Sequence, residues 1–286
     1  MLRAGGLVAI PTETVYGLAA DASNADAVRR VFAVKGRPAD HPLIVHVGAA
    51  AQLGDWAASI PPAAAVLADA CWPGPLTLLV PRALTVLDLI TGGRPTVGVR
   101  VPAHPLTLEL LARFGGGLAA PSANRFGRVS PTTADHVRAD LGDAVDFVLD
   151  GGACPVGVES TIVDCTVDPP QVLRPGGISP EEIEALLKMT LGAPDGPSRA
   201  PGMLESHYAP RCNVVLAKSR AEAEDLADGL PGAEILDDDD LARYAHTLFA
   251  RLRDADDRGV DTVIAVLPPA AGLGHAIRDR LIKASA

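Results

Sequence analysis

The chain has 286 residues, of which 48% are hydrophobic and 21% are charged, and its formal net charge is −10. This length and composition are typical of a globular protein with one large and one small domain. The negative charge argues against a protein that holds nucleic acid through a general basic surface. No apolar run reaches the roughly 18–20 residues of a membrane span. The four cysteines form no metal-binding spacing, so we expect a cytoplasmic protein with reduced thiols.

Apolar runs and helical periodicity alternate irregularly through residues 1–190. Strands are predicted at Leu7–Ile10, Leu43–Val47, Leu76–Val80, Val97–Val101, Val145–Leu149, Thr161–Cys165 and Gln171–Leu173. Helices are predicted at Ala25–Lys35, Pro105–Phe114, Thr133–Leu141 and Pro180–Met189. Several strands follow one another across short turns. This pattern favours an α/β fold of α+β-like character, with a mixed sheet, over a regular doubly wound sheet.

Residues 191–211 are rich in Gly, Pro and Ser, which is the composition of a linker. Residues 212–286 then alternate in the order β-α-β-α-β-α, which predicts a small parallel α/β domain. Its elements are placed at Asn213–Ala217, Arg220–Ala227, a helix through about Asp256, Thr262–Leu267 and about His275–Ala284. The acidic run Asp237–Asp240 is interpreted as a solvated turn and helix start. We therefore predict a large domain at 1–190, a linker at 191–211 and a C-terminal domain at 212–286.

The common catalytic motifs are absent from the sequence. It contains no G-x-x-x-x-G-K-[ST] loop and no G-x-G-x-x-G fingerprint. It also lacks H-E-x-x-H and G-x-S-x-G. If the chain is an enzyme, it belongs to none of these motif classes.

Polar residues cluster instead where predicted strands and helices end. The segment Ile10–Leu18 holds two threonines and a glutamate between Pro11 and Gly17, which is typical of a structured turn. Lys35 and Arg37 follow a helix, where they suit either the helix dipole or the oxygens of a triphosphate. Both interpretations stay open on the sequence alone.

Three later segments have the same character. His46 lies in an apolar run, so it is either a core histidine or a site residue. Arg100 stands between valines and needs an anion, either an internal carboxylate or a carboxylate ligand. The loop at 120–131 carries two hydroxyls, one amide and two arginines, which suits binding of phosphates and is equally compatible with a solvated loop.

Seven motifs occur in one order between residues 6 and 177: PTETVYGL, KGRPADHPLIVH, WPGPLTLLV, TVGVRVP, APSANRFGRVSPT, ESTIVD and VLRPGG. Together they resemble the threonylcarbamoyl-AMP synthase family, known as Sua5/YciO/YrdC. Residues 201–210, followed by a small α/β unit, resemble the long, Sua5-type form of that family. The resemblance implies a twisted mixed-sheet YrdC-type catalytic domain and a small C-terminal parallel α/β Sua5 domain.

The resemblance also implies a reaction. The family joins L-threonine, bicarbonate and ATP into threonylcarbamoyl-AMP, with release of pyrophosphate and with Mg²⁺ on the ATP phosphates. The product would pass to the tRNA threonylcarbamoyl-transferase machinery, which forms N6-threonylcarbamoyladenosine in tRNAs that read ANN codons. Direct contact with tRNA would be weak, and no membrane is involved.

By the family's pattern, threonine would be surrounded by Thr14, His46, Arg100, Ala120 and Ser160, with Arg100 on its carboxylate. The nucleotide would be held by Lys35, Arg37, His41, Thr96, Ser122, Asn124, Ser130, Arg174 and Tyr208. Lys35 and Arg37 would be the catalytic cations. Tyr208 lies in the linker, which would therefore cross the active site as a lid.

Two alternatives remain. A hydrogenase-maturation carbamoyltransferase, a related enzyme that forms a carbamoyl-adenylate, contains a similar domain, but it would need acylphosphatase and Cys-rich zinc segments that this sequence lacks. An RNA-binding module of the same fold, without catalysis, is the other. Against it stand the net charge of −10 and an aromatic content of only 3%, because stacking on RNA bases uses aromatic side chains.

Overall fold

The computed structural model describes residues 1–194, 200–202 and 208–286. In residues 1–194, which we call the large-sheet unit, the strands are β1 (Val8–Ile10), β2 (Gly17–Asp21), β3 (Ile44–His46), β4 (Leu76–Pro81), β5 (Thr96–Arg100), β6 (Leu118–Ala119), β7 (Phe147–Val148), β8 (Thr161–Asp164) and β9 (Gln171–Arg174). Its α-helices are α1 (Ala25–Lys35), α2 (Leu53–Trp56), α3 (Pro62–Cys71), α4 (Asp88–Thr91), α5 (Pro105–Phe114), α6 (Ala134–Leu141) and α7 (Pro180–Leu187), and single 3₁₀ turns lie at Leu2–Ala4, Ala50–Gln52 and Gly142–Ala144.

These strands form one sheet in the order β7-β1-β2-β6-β3-β5-β4-β8-β9. The pairs β7–β1, β3–β5 and β4–β8 are parallel and the other neighbours are antiparallel, so the prediction of a mixed sheet is confirmed. The predicted strands and helices all lie within two residues of the observed ones. The sequence analysis missed β2, β6 and the helices α2, α3 and α4. β2 is buried along nearly its whole length, so it shows no alternation of polar and apolar residues.

Helix ends place two segments that matter for the site. The side chain of Asn24 caps the start of α1, and Gly36 ends that helix in the left-handed region at φ 64°. Glycine adopts this conformation without a steric penalty, so the chain turns sharply and Arg37 points away from the helix. At α7 the predicted capping box is confirmed, because Ser179 and Glu182 bond reciprocally to each other's backbone N–H groups.

Residues 208–286, which we call the C-terminal unit, contain β10 (Asn213–Ala217), α8 (Arg220–Asp228), β11 (Glu234–Leu236), α9 (Leu241–Arg258), β12 (Thr262–Val266) and α10 (Gly274–Ala284). The strands form a parallel sheet in the order β10-β12-β11, which confirms the predicted parallel α/β unit. The sequence left β11 unplaced because it is only three residues long. As expected for the acidic run, Asp240 caps α9. None of the helices in the described ranges is both long and apolar enough to span a bilayer.

The two units share a hydrophobic core. Val15, Val129 and Val158 of the large-sheet unit pack in one cluster with buried side chains of α9 and α10, among them Phe249 and Ile277. The first two of these valines lie in loops that also carry polar residues singled out in the sequence. The C-terminal unit is therefore placed directly behind those loops.

Candidate active site

An open cavity lies where several strands of the large sheet end. It is lined by residues from the turns after β1, β6 and α1, from β2, β3, β5 and β9, from the segment before β8, and from the predicted linker. These residues are Thr12, Thr14, Val15, Gly17, Arg37, Ile44, His46, Arg100, Ala120, Pro121, Ser122, Glu159, Ser160, Arg174, Pro201, Gly202 and Tyr208.

The fold brings many of the predicted site residues to this one cavity. All five positions predicted to surround threonine line it: Thr14, His46, Arg100, Ala120 and Ser160. Of the positions predicted for the nucleotide, four line it: Arg37, Ser122, Arg174 and Tyr208. The other nucleotide positions, Lys35, His41, Thr96, Asn124 and Ser130, do not line it.

Arg100 is held by an internal carboxylate. Its Nη2 donates to Glu13 Oε1 at 2.6 Å and to Thr14 Oγ1 at 2.9 Å, and its Nε donates to the carbonyl of Gly74 at 3.2 Å. The second oxygen of Glu13 accepts from the backbone N–H of Ala103 at 2.9 Å. Among the described residues, no hydrogen bond engages Arg100 Nη1, which leaves that nitrogen for a ligand. The sequence had left open whether the anion was internal, and Glu13 was not among the predicted site residues.

Thr14 owes its position to the structured turn that the sequence predicted. The hydroxyl of Thr12 accepts from the backbone N–H groups of Thr14 at 3.1 Å and Val15 at 3.2 Å, and it donates to the Val15 carbonyl at 2.6 Å. This hydroxyl-centred turn is the local structure that Thr and Ser favour between a Pro and a Gly. It holds the Thr14 hydroxyl against the guanidinium of Arg100.

His46 is neutral in this cavity. It pairs with Arg100 across neighbouring strands β3 and β5, so both side chains lie on one face of the sheet. Burial, followed by the charge of Arg100, lowers the pKa of His46 to about 3. Its buried Nδ1 has no hydrogen-bond partner among the described residues. A neutral imidazole can donate a hydrogen bond to a ligand or accept one from it, but it carries no positive charge at neutral pH.

Arg37 and Arg174 are buried cations whose hydrogen-bond acceptors, among the residues that the structure describes, are all neutral. Arg174 donates from Nη2 to the carbonyl of Ser160 at 2.8 Å and to its hydroxyl at 3.1 Å, and from Nη1 to the carbonyl of Pro201 at 3.2 Å. Arg37 donates to the carbonyl of Pro42 at 2.9 Å. Burial lowers the pKa of Arg37 to about 10 and lowers that of Arg174 as well. Neither forms an ion pair within the described residues, so an anionic ligand would compensate their desolvation.

Two described pieces of the predicted linker complete the wall. Tyr208 is 1% exposed and adopts φ 63°, which is unusual for a bulky residue. Gly202 has φ 80°, and a Cβ there would lie 2.5 Å from Tyr208 Oη and 3.0 Å from Arg174 Cδ. Only glycine permits this approach. The predicted lid also includes residues 195–199 and 203–207, which lie outside the described residues.

Glu159 is a wall residue that the sequence analysis did not single out. Its Oε1 accepts from the Ser130 hydroxyl at 2.5 Å, and its Oε2 accepts from Arg280 Nε at 2.7 Å. Burial alone would raise the pKa of Glu159, but Arg280 and then Arg174 outweigh it, so the pKa lies below its ordinary value. A glutamate directly before the apolar strand β8 was the available signal. Its partner, 121 residues away, could not be inferred.

Lys35 lies beneath the loop that follows β6, and Asn124 is part of that loop. Lys35 Nζ donates to the carbonyls of Ser122 at 2.5 Å and Asn124 at 2.6 Å. Burial, followed by Arg37, lowers the pKa of Lys35 well below its ordinary value. The Asn124 amide donates to the carbonyls of Arg125 and Arg128 at 2.8 Å. In this conformation both side chains shape the loop that presents Ser122, and neither faces the cavity.

The remaining predicted nucleotide residues lie around the edge. Thr96 lines a neighbouring apolar recess, which shares Ile44 and Pro201 with the cavity. His41 is partly exposed and contacts Phe126 edge-to-face, with ring centroids 5.3 Å apart. Ser130 is buried behind the wall, where it holds Glu159.

The fold and site together define an α/β protein whose mixed sheet carries an open cavity lined by three buried arginines, Arg37, Arg100 and Arg174. A family model described as telomere recombination (Sua5, YciO, YrdC) matches residues 1–176. A second model, described as threonylcarbamoyl-AMP synthase, C-terminal domain, matches residues 178–286. The chain therefore belongs to the Sua5/YciO/YrdC family, in its long form.

Curated relatives and solved structures agree with this placement. A Pyrococcus abyssi protein named threonylcarbamoyl-AMP synthase is 42% identical over 311 residues, covering 99% of this chain and 92% of that protein. A Bacillus subtilis protein of the same name is 38% identical over 314 residues, covering 100% and 91%. A crystal structure described as P. abyssi Sua5 complexed with L-threonine has a TM-score of 0.92 and 41% identity, covering 99% of this chain and 92% of that one.

Proposed function

We propose that this chain is an L-threonylcarbamoyladenylate synthase, which converts L-threonine, bicarbonate and ATP into threonylcarbamoyl-AMP and pyrophosphate. The observation that carries the proposal is a single cavity that Arg100 lines together with Arg37 and Arg174. Relatives that match nearly the whole chain carry the name of this enzyme, and one solved relative is described as a complex with L-threonine.

The reaction needs no nucleophile from the protein. The amino group of threonine combines with bicarbonate to give a carbamate and water. A carbamate oxygen then attacks the α-phosphorus of ATP while the bond to the β-phosphate oxygen breaks, so pyrophosphate leaves. The protein must align the two substrates and compensate the growing negative charge.

The cavity wall offers a different set of groups for each substrate. We assign Thr14, His46, Arg100, Ala120 and Ser160 to an amino-acid end and Arg37, Ser122, Arg174 and Tyr208 to a nucleotide end. At the amino-acid end, Arg100 Nη1 receives the threonine carboxylate, because its other nitrogens are already bonded. At the nucleotide end, Arg37 and Arg174 receive phosphate oxygens, because a guanidinium fork matches them.

The charges of the wall support this division. Of the two glutamates near the cavity, Glu159 lines it and is paired with Arg280, while Glu13 does not line it and is paired with Arg100, so Arg37 and Arg174 keep their charges for a ligand. Within the described ranges, no group of three metal-ligating side chains occurs. Since the carboxylates of Glu13 and Glu159 are both engaged by arginines, the donors fit Mg²⁺ carried on the ATP phosphates, where it would offset their charge.

Water must be kept from the carbamate and the mixed anhydride, because both hydrolyse. Pro201, Gly202 and Tyr208 already reach the wall, so the linker is suited to cover bound substrates. In this proposal residues 1–190 carry the reaction, residues 191–211 cover it and residues 212–286 support the cover. The product then serves a cytoplasmic tRNA threonylcarbamoyl-transferase that forms N6-threonylcarbamoyladenosine.

The test is release of pyrophosphate from ATP by the purified full chain. We expect release only when L-threonine and bicarbonate are both present, together with a product in which threonine, carbonate carbon and AMP are joined. Omitting either substrate, or replacing threonine by alanine, serves as the control. RNA binding with no such release would contradict the proposal and favour the RNA-binding module.

A further inference from the structure

A buried arginine of the C-terminal unit contacts two residues of the cavity wall. Arg280, on α10, has a side chain that is 0% exposed, and its Nε donates to Glu159 Oε2 at 2.7 Å. Its guanidinium carbon also lies 5.0 Å from the centre of the Tyr208 ring. Arg280 does not itself line the cavity. It therefore acts on the cavity only through these neighbours.

The contact with Arg280 determines which residue the buried carboxylate of Glu159 binds. Arg174 donates to the backbone and hydroxyl oxygens of Ser160, the residue next to Glu159. Glu159 is thus a carboxylate close to Arg174, and an ion pair between them would occupy a cation that faces the cavity. Instead, both oxygens of Glu159 are bound elsewhere, one by Ser130 and one by Arg280.

The contact with Tyr208 fixes the linker against the wall. Tyr208 holds φ 63°, a conformation that is sterically unfavourable for a residue with a Cβ, so its surroundings must stabilise it. It lies between Arg280 and Phe249 of α9, whose ring centroid is 5.7 Å away. One turn further along α10, Lys283 Nζ donates to the carbonyl of Gly202 at 2.6 Å.

We infer that Arg280 is a positioning residue for the nucleotide end: by engaging Glu159 and packing on Tyr208, it leaves Arg174 available for the phosphates of ATP. This inference rests on the proposed function for the identity of the ligand. It assigns the C-terminal unit a part in ATP binding, although no residue of α10 lines the cavity. When Arg280 is lost, Glu159 turns to Arg174 and competes with the phosphates.

The test measures the Kd of a non-hydrolysable ATP analogue with Mg²⁺ by calorimetry, in the full chain. Because one partner of a buried charge pair is removed, Arg280→Met should raise this Kd about tenfold or more. The Kd for threonine should change less than about threefold. The decisive variant is Arg280→Met/Glu159→Gln, in which the competing charge is gone, and it should bind the analogue within about threefold of the wild type.

A purely structural role for Arg280 predicts the opposite outcome. In that case the double variant would bind the analogue as poorly as Arg280→Met, or threonine binding would weaken equally, and the inference would be wrong. If Arg280→Met does not fold, Arg280→Gln replaces it, because an amide still donates a hydrogen bond to Glu159 without its charge. The same two criteria then apply.

His275→Ala is the matched control. His275, also on α10, reaches from the C-terminal unit to a carboxylate of the large-sheet unit, with its Nε2 2.8 Å from Glu181 Oε1, and neither residue lines the cavity. We expect at most a small decrease in melting temperature and a Kd for the analogue within about threefold of the wild type. An equal loss of affinity would mean that any broken contact between the units weakens ATP binding. If the wild type binds the analogue yet releases no pyrophosphate, the proposed reaction fails while the Kd values still decide the role of Arg280.

Discussion

The two ends of the cavity are built in different ways. At the amino-acid end, His46 and Arg100 are register partners on adjacent strands, and Arg100 already holds an internal carboxylate. At the nucleotide end, Arg37 follows a helix-terminating glycine and Tyr208 belongs to the linker. Sheet pairing therefore fixes His46 and Arg100, whereas the assigned residues of the second end other than Arg174 on β9 depend on loops and on contacts from the C-terminal unit.

Charge follows the same division. The cation of the amino-acid end is neutralised by Glu13 before any ligand arrives. The cations of the nucleotide end, Arg37 and Arg174, are buried against carbonyl and hydroxyl oxygens. Burying a cation without a counter-ion costs desolvation free energy. Binding of a polyanion at the nucleotide end therefore recovers more free energy than binding of a carboxylate at the amino-acid end. We expect substitutions at the nucleotide end to have the larger effects on the reaction.

Arg174→Ala should have the largest effect. It removes a preorganised cation where negative charge grows in the transition state, which costs about 10²–10³ in rate in comparable sites. We expect kcat/KM for ATP to fall by about this factor while threonine affinity stays within about threefold. Steady-state pyrophosphate release and threonine calorimetry measure both. Equal losses for the two substrates would mean that the ends are not separate.

Arg100→Ala should have the next largest effect, and on the other substrate. The threonine KM should rise about a hundredfold, because a charge-assisted bond to its carboxylate is lost and Glu13 is left unpaired. ATP affinity should stay largely intact. The control is Arg100→Ala/Glu13→Gln, which removes the unpaired charge and separates its cost from that of the lost contact. A collapse of ATP affinity with threonine binding unchanged would show that Arg100 is assigned to the wrong ligand.

Thr14→Val is a smaller change at the same end. It keeps the volume of the side chain but removes the hydroxyl that accepts from Arg100 at 2.9 Å. A hydrogen bond to a charged group contributes about 1.5–3 kcal/mol, so we expect the threonine KM to rise about tenfold or somewhat more. Kinetics at saturating ATP measure this. An unchanged KM would mean that the Thr14 hydroxyl has no part in placing Arg100.

We expect His46 to make the free energy of unfolding depend on pH, and we expect no step in the pH profile of activity from its titration near neutral pH. Its folded pKa of about 3 lies below the ordinary unfolded value, so the unfolded chain takes up the proton first. The free energy of unfolding that the neutral imidazole contributes is fully present above the unfolded pKa. It is lost as the pH falls below that value towards the folded pKa. Relative to His46→Gln, the wild type should lose about 2 kcal/mol of unfolding free energy between pH 7 and pH 5. Denaturant titrations at both pH values measure this, and a constant difference would mean that the pKa of His46 is the same in the folded and the unfolded chain.

Local sequence patterns predicted most of the helices, caps and turns. They could not predict which side chains distant in sequence contact each other. The helix Ala25–Lys35, the capping box at Ser179 and the turn around Thr12 each depend on residues close in sequence, and each is observed. The partners of Arg100 and Arg280 are 87 and 121 residues away. No periodicity carries that information.

The family pattern identified more of the candidate site residues than composition or periodicity did. It did not distinguish the residues that line the cavity from those that hold the lining residues in place. It grouped Lys35 and Ser130 with the nucleotide residues, whereas in the structure they hold Ser122 and Glu159 from behind. It contained no signal for Arg280, because a single arginine in an amphipathic helix resembles any solvated one. Burial, which only the fold supplies, distinguishes it.

A crystal structure of the full chain with L-threonine and a non-hydrolysable ATP analogue would test the central claim most directly. We predict the threonine carboxylate on Arg100 and the phosphates on Arg37 and Arg174, with the amino group of threonine facing the α-phosphate inside one cavity. Threonine and the analogue bound at separate places, or phosphates bound to Arg100, would contradict it.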